Sequence, residues 1–431
     1  MIRKILSVLM ILTLLVLFGA TYFSSTKTEA AFRQQIEQLN RTYAGMLGVE
    51  LLEYQRGWLL SKVKTRLVLK QQAWELQHQI RHFPWKVQMF TGFAPDSGVA
   101  EELAKKLPLD QVQLQTDVAL DGSSQNRFNL PELRFSDQRI EFLLQGLSCE
   151  FDLEREMRGG QLLFYLDSLQ VSEPGVAELL LADLEIDSRF TDVQGLPLGG
   201  GKVLIGELSL IQGEAAGIVL NELLYQVDSR LENDQLSSAI DLQLQRLQLG
   251  GESFTDGKLV LQISGIDAAT VRELQDSIRQ LQVELQGEQI DPLIIQLQLL
   301  GLYTQLFQEG VTISLPQLTL QADNGALTGA GEVLLQQLNL AGGGMAFDNI
   351  SANLQLNVEL PIFQAGFRVY NFLQDMPGND NRAVLNEQAE QLAGALVQKG
   401  IFVRVDGGYR ADFSLKQGQA ELNGQPFRLR F

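Results

Sequence analysis

Two histidines, His78 and His82, stand four residues apart in "HQIRH". On a helix that spacing places both imidazoles on one face, where a metal could be held. No glutamate follows His78 as the HExxH pattern needs, and Pro84 soon ends any helix, so no metal centre is expected. Serine chemistry has no foothold either, because no G-x-S-x-G elbow occurs. "PLGGGKVLIG" resembles a phosphate loop, yet Val203 stands where Ser or Thr must reach magnesium and Leu196 where the first glycine belongs. A hairpin turn is the expectation there. Asp183, Glu185 and Asp187 alternate along a predicted strand and share a face; such a row could hold calcium, but a solvated carboxylate row is the expectation. Cys149 is the only cysteine, which excludes an intramolecular disulfide and a thiol redox pair. No catalytic residue, cofactor or metal is therefore assigned, and an enzyme ranks behind two non-catalytic readings.

The elements that carry these residues begin with a greasy N-terminus. After Arg3 and Lys4 come nineteen uncharged residues, Ile5 to Phe23. As a helix they span ~29 Å, close to the hydrocarbon thickness of a bilayer. The expected organisation is a cytoplasmic tip over 1–4, a transmembrane anchor over 5–23, a stalk helix over 24–47 and a β-rich region over 48–431. The alternative of a cleaved signal peptide meets a poor small-x-small site at "TEA", Thr28–Ala30. A net charge of −18 opposes binding to nucleic acid, since neutralising phosphates takes an excess of Lys and Arg.

Beyond the stalk, alternation with period two dominates. "ISANLQLNVELPI" places Ile350, Ala352, Leu354, Leu356, Val358, Leu360 and Ile362 on one face. Shorter runs do the same with Val112, Leu114, Val118 and Leu120, with Ile240, Leu242 and Leu244, and with Leu259, Leu261 and Ile263. Asn324-Gly325, Asn423-Gly424, Gly250-Gly251 and Gly342–Gly344 supply turn chemistry between runs. Helical periodicity predicts helices over 268–283, 293–307 and 382–398, with another in "PIFQAGFRVYNFLQDM". The expected fold is mainly β with some α: a long, mostly antiparallel curved sheet or open barrel-like groove carrying two helical hairpins.

Tyr54, Arg56, Gly57 and Ser61 match a Y-x-R-G-x-x-x-S pattern. With "GKLVLQISGIDAATVRELQ", which holds Gly257 and Asp267, and the ending "FSLKQGQAELNGQPF", which holds Asn423 and Gly424, the chain resembles the YdgA-like bacterial proteins. "RHFPW" around His82 lacks the glycine of that family's His-Gly-Pro corner. The resemblance implies a single inner-membrane span and a long periplasmic part, and it implies no reaction.

Two functional classes remain. In the first, a non-enzymatic envelope protein holds a lipid or other amphiphile on an apolar sheet face, with Leu354, Leu356, Val358 and Leu360 as candidate lining; a covered core is the competing reading of that stripe. In the second, the protein is a scaffold or assembly partner, docking another envelope protein or a second copy of itself through a sheet edge or helices. Near the anchor, Lys62, Lys64 and Arg66 alternate with Val63, Thr65 and Leu67. They read as a first strand with a solvated basic face, or as a contact with anionic headgroups joined by Trp58, Trp74 and Trp85.

Overall fold

The structure is a computed structural model that describes residue 21 and residues 24–37, 39–41, 47–69, 72–94, 112–136, 139–155, 158–212, 215–285, 306–307, 310–336, 349–374 and 381–427. The chain divides into two compact units, Met1–Ser168 with Arg189–Asp192, and Leu169–Ser188 with Val193–Phe431. Strands dominate both, and every pairing is antiparallel, as the period-two runs predict.

In the first unit a helix, α1 (24–37), precedes an up-and-down ladder. Its strands are β1 (Leu47–Gln55), β2 (Leu60–Leu69), β3 (Gln72–His82), β4 (Lys86–Phe93), β5 (Leu114–Ala119), β6 (Ser124–Ser136) and β7 (Glu141–Leu153), each paired with the next. β8 (Gly159–Glu173) and β9 (Ala177–Val193) contribute residues to both units. Helix α1 is tied to the sheet at two places. Ser25 Oγ donates to the Gly57 carbonyl at 2.8 Å, and the Asn40 amide brackets Val49, donating to its carbonyl at 2.8 Å and accepting its N–H at 2.7 Å. Val49 and Gly57 lie at opposite ends of β1, about 26 Å apart along an extended chain, so the segment from Ser25 to Asn40 follows that strand.

In the second unit the ladder runs through β10 (Leu196–Gln212), β11 (Ala215–Glu232), β12 (Gln235–Leu249), β13 (Glu252–Asp267), β14 (Val311–Ala322), β15 (Gly325–Leu335) and β16 (Ile350–Glu359). β16 then pairs with β18 (Gly408–Lys416), which holds β17 (Val403–Val405) and, through β19 (Gln419–Leu422), β20 (Gln425–Phe427). Helix α2 (Ala268–Leu285) follows β13; α3 (Leu360–Leu373) and α4 (Arg382–Gln398) form a hairpin. The partner expected for α2 over 293–307 lies outside the described residues apart from 306–307.

Several local expectations need correction. The stripe predicted to run to Ile362 leaves the sheet at Leu360, the first residue of α3. Pro361 enforces this, since it has no N–H for a ladder and its fixed φ suits the first helical turn. The glycine run Gly199–Gly201 lies inside β10, and its turn is Gln194-Gly195, both at positive φ (58° and 86°). The β14–β15 turn is Asp323-Asn324 (φ 50° and 64°) rather than Asn324-Gly325, with Ala322 and Gly325 paired on either side. Val112 and Leu120 fall outside β5. His78 and His82 belong to a strand, not a helix. Gly342–Gly344 lie outside the described residues. Among the described residues no helix is long and apolar enough to cross a membrane, and the span expected over 5–23 lies outside them apart from Thr21.

Candidate functional site

The register of the second unit joins apolar residues from eight strands into one row. Val203 pairs with Tyr225, Tyr225 with Leu242, Leu242 with Leu259, Leu259 with Leu318, Leu318 with Gly329, Gly329 with Leu356, and Leu356 with Ala411. One residue along, Lys202, Gln226 and Asp241 form the corresponding polar row. A second apolar row crosses at Leu208, Leu220, Leu247, Phe254 and Ala322.

On β10, β11, β12 and β13 these two rows are five residues apart, and strict alternation would put them on opposite faces, whereas on β14 they are four apart, at Leu318 and Ala322. A line of kinks prevents that. Asp183, Glu222 and Asp256, on alternate strands β9, β11 and β13, adopt the left-handed region with φ of 53°, 48° and 51°. The register sets Glu222 opposite Gly206 on one side and Gln245 on the other, with Asp256 beyond Gln245. Gly206 is required, since a Cβ there would lie 2.6 Å from that of Asp183. Along this line the apolar alternation skips a residue on β10, β11 and β12: Ile205 to Leu208, Leu220 to Leu223, Leu244 to Leu247. A Cβ on Gly257 would meet Leu244 Cβ at 3.1 Å and Leu320 Cδ1 at 3.2 Å, and Leu320 packs in the same cluster as Leu247. Leu244 and Leu247 therefore share a face, and the apolar surface continues through the crease.

Helix α3 covers one part of that face. Ile362 and Ala365 pack on Phe254, Ala322 and Val358, while Leu356 sits at the edge of the cluster. Of the four predicted lining residues, Val358 is buried under α3, Leu360 belongs to that helix, Leu356 is half-buried and Leu354 stays 42% exposed. Val203, Tyr225, Leu242, Leu259 and Leu318 are likewise half-buried. The face is neither wholly open nor wholly covered among the described residues.

The first unit holds a different arrangement, a polar seam between β2, β3 and β4. His78 spans two hydroxyls, its Nε2 2.8 Å from Thr65 Oγ1 and its Nδ1 2.9 Å from Thr91 Oγ1. His82 Nε2 lies 2.9 Å from Ser61 Oγ. Burial pushes His78 down to about 4 and also lowers His82. Phe32 of α1 closes the seam, with its ring edge-on to His78 at 5.5 Å and to Tyr54 at 6.2 Å. The buried Tyr54 hydroxyl is directed at Ser61 without reaching hydrogen-bond geometry, and burial raises its phenol. A Ser–His contact is the start of a nucleophile, but among the described residues no carboxylate meets His82 Nδ1, which is buried without a partner there. The two histidines hold hydroxyls separately and do not converge on a common point.

Sequence reasoning missed one ionic cluster in the second unit. Buried Arg368 of α3 donates to both oxygens of buried Glu252 at 2.6 Å, to Asp323 at 2.6 Å and to Asn386 of α4. Arg382 also reaches Glu252 and Asp323. The bond with Glu252 is the main cause that raises the Arg368 guanidinium. This cluster fastens both helices to two turns of the sheet, and its only sequence signal is a cation inside the apolar stripe of α3. The carboxylate row on β9 is also used structurally: Asp183 makes the kink and Glu185 holds Lys202 at 3.2 Å.

The family described as "Bacterial protein of unknown function (DUF945)" matches residues 2–430. The chain belongs to this family. No curated protein and no solved structure matches it. In this DUF945 member the eight motif residues named from the sequence divide between bends, caps and turns on one hand and strand interiors on the other, Tyr54 lying in β1 and Gly257 inside β13. A Cβ on Gly57 would lie 2.0 Å from the Leu60 carbonyl oxygen, so only glycine makes the β1–β2 bend, and its N–H donates to Ser61 Oγ at 3.2 Å. Arg56 is exposed beside that bend. Gly257 follows the Asp256 kink. Asp267 caps α2 by accepting the Thr270 N–H at 2.7 Å, and that backbone bond holds its carboxyl below the usual range. Asn423 and Gly424 make the β19–β20 turn at φ 55° and 72°, and the Asn423 amide ties that turn to Asp412, Gly400 and Ile401.

Proposed function

We propose that this DUF945 protein is a non-enzymatic envelope protein, anchored in the bacterial inner membrane by residues 5–23 with its N-terminus cytoplasmic and its bulk periplasmic. Its second unit shields an acyl chain or similar amphiphile on the apolar sheet face. The placement rests on the N-terminal hydropathy and on the likeness to YdgA-like proteins. The observation that carries the binding reading is the row from Val203 to Ala411, apolar in all eight strands and continued through the crease by the kinks at Asp183, Glu222 and Asp256. A covered core needs no such continuity beyond the reach of α3, whereas a ligand lying across the strands does. Glycines at 329 and 331 let Leu318, Leu354 and Leu356 lie low over the sheet.

The test is photocrosslinking of the full chain in bacterial membranes with a diazirine fatty acid, followed by peptide mapping. Crosslinks to peptides holding Leu318, Leu354 and Leu356 are expected; crosslinks confined to residues 5–23 would overturn the reading. A scaffold role is the second reading, favoured by exposed Tyr370, Phe372 and Leu373 at the end of α3. Alkaline phosphatase fused after Phe431 should be active if the placement is right.

A further inference from the structure

In the first unit, three successive turns lie at one end of the ladder. The His82 N–H donates to the Leu59 carbonyl at 2.9 Å, which sets the β1–β2 turn beside the β3–β4 turn, and Lys86 pairs with Ala119, which sets the β5–β6 turn next to that. Turn tips are ordinarily polar, yet these carry Trp58, Leu59, Trp85 and Leu120, exposed by 43%, 57%, 58% and 73%. Phe83 stacks on Trp85 with ring centroids 6.0 Å apart. Ser25, two residues past the hydrophobic segment, hydrogen-bonds the Gly57 carbonyl at this same end. Exposed Arg56, Lys62 and Arg81 flank the first two tips, and exposed Asp121 follows Leu120 in the third. Trp74 is elsewhere: it pairs with Leu67, which pairs with Val49, toward the opposite end of the ladder, ~20 Å from Ser61.

We infer that these three turns form a membrane-contact surface, with Trp58, Leu59, Trp85 and Leu120 seated at the headgroup–acyl boundary of the bilayer that residues 5–23 enter. The occupant is a lipid interface because the chain reaches the surface directly from its apolar segment and because indole rings and basic side chains favour that boundary. This inference rests on the anchor reading above and adds that the first unit lies flush on the membrane instead of standing off on a stalk.

Three single-tryptophan forms of the full chain, with Phe at the other two positions, test it in vesicles of phosphatidylethanolamine and phosphatidylglycerol whose acyl chains are brominated near the headgroup. The apolar segment contains no tryptophan. The Trp58 and Trp85 forms should be quenched roughly threefold more than the Trp74 form, with blue-shifted emission. Equal or absent quenching at all three positions overturns the surface. An alkaline wash is scored separately: release of the protein from the vesicles defeats the anchor, while the quenching pattern still decides the contact.

Discussion

Ser61 Oγ lies 2.9 Å from His82 Nε2 in a site where Ser61 is 0% exposed. A serine buried from solvent, beside a histidine that no carboxylate among the described residues backs, holds a strand corner together. Replacing Ser61 with Ala removes a partner from a buried ring and from the Gly57 N–H, so stability should fall by about 1–3 kcal/mol. Urea unfolding measures this. The folded chain should also resist labelling by a fluorophosphonate, and labelling at Ser61 would restore the nucleophile reading.

The seam makes the first unit sensitive to mild acid. His78 titrates at about 4 in the fold, against 6.5 when unperturbed. As pH falls below the unfolded value, the unfolded chain takes a proton that the folded chain refuses, so stability is lost between the two values and is flat above and below them. The loss is about 3 kcal/mol over that window. His82 is lowered too and shifts in the same direction. Urea midpoints at pH 7.5 and 4.5 should differ less in His78→Gln than in the parent chain, because Gln does not titrate. An unchanged difference would mean that carboxylates set the acid response.

Strand character was legible in the sequence because period two acts locally, and glycine chemistry marked the turns at Gly250-Gly251 and Asn423-Gly424, while the β14–β15 turn fell one residue earlier than its glycine suggested and the Gly199–Gly201 run proved to be strand. Helix α4 and the Asp267 cap were readable for the same reason, since a cap needs only residues three apart. The skips in alternation are in the sequence as well, but in "AIDLQLQRLQL" strict period two holds from Ile240 to Leu244 and breaks at Gln245-Arg246 before Leu247. A skip means something only when its neighbours skip in register, and register is non-local. The union of Arg368 with Glu252, 116 residues away, is likewise set by topology and carries no local pattern. The Ser61–His82 contact depends on the pairing of β2 with β3, which sequence spacing alone did not give.

Arg368 should be the most sensitive polar residue of the second unit. Arg368→Met fits the apolar stripe of α3 but leaves buried Glu252, among the described residues, with the more distant Arg382 at 3.4 Å. Uncompensated burial of a charge predicts a loss of about 3–5 kcal/mol. Adding Glu252→Met should recover much of that loss, since removing both partners deletes the unpaired charge. A double variant no better than the single one would show that the arginine contributes mainly through packing.

The crease can be tested where its cost is concentrated. Glu222 holds φ of 48° in the middle of β11, opposite Gly206 and Gln245. Left-handed backbone strains a residue with a Cβ by roughly 1–2 kcal/mol, and glycine escapes that strain. Glu222→Gly should therefore be neutral or stabilising despite the added freedom of the unfolded chain, while Glu222→Val, β-branched and suited to regular strand, should destabilise by about 2 kcal/mol or more. In an ordinary strand the order would be reversed, because valine favours and glycine disfavours a regular pleat. Thermal unfolding of the two variants thus reads the conformation directly. If valine proves the more stable, β11 runs straight through residue 222. Leu220 and Leu223 then face opposite sides of the sheet, and the continuous apolar face on which amphiphile binding depends is lost.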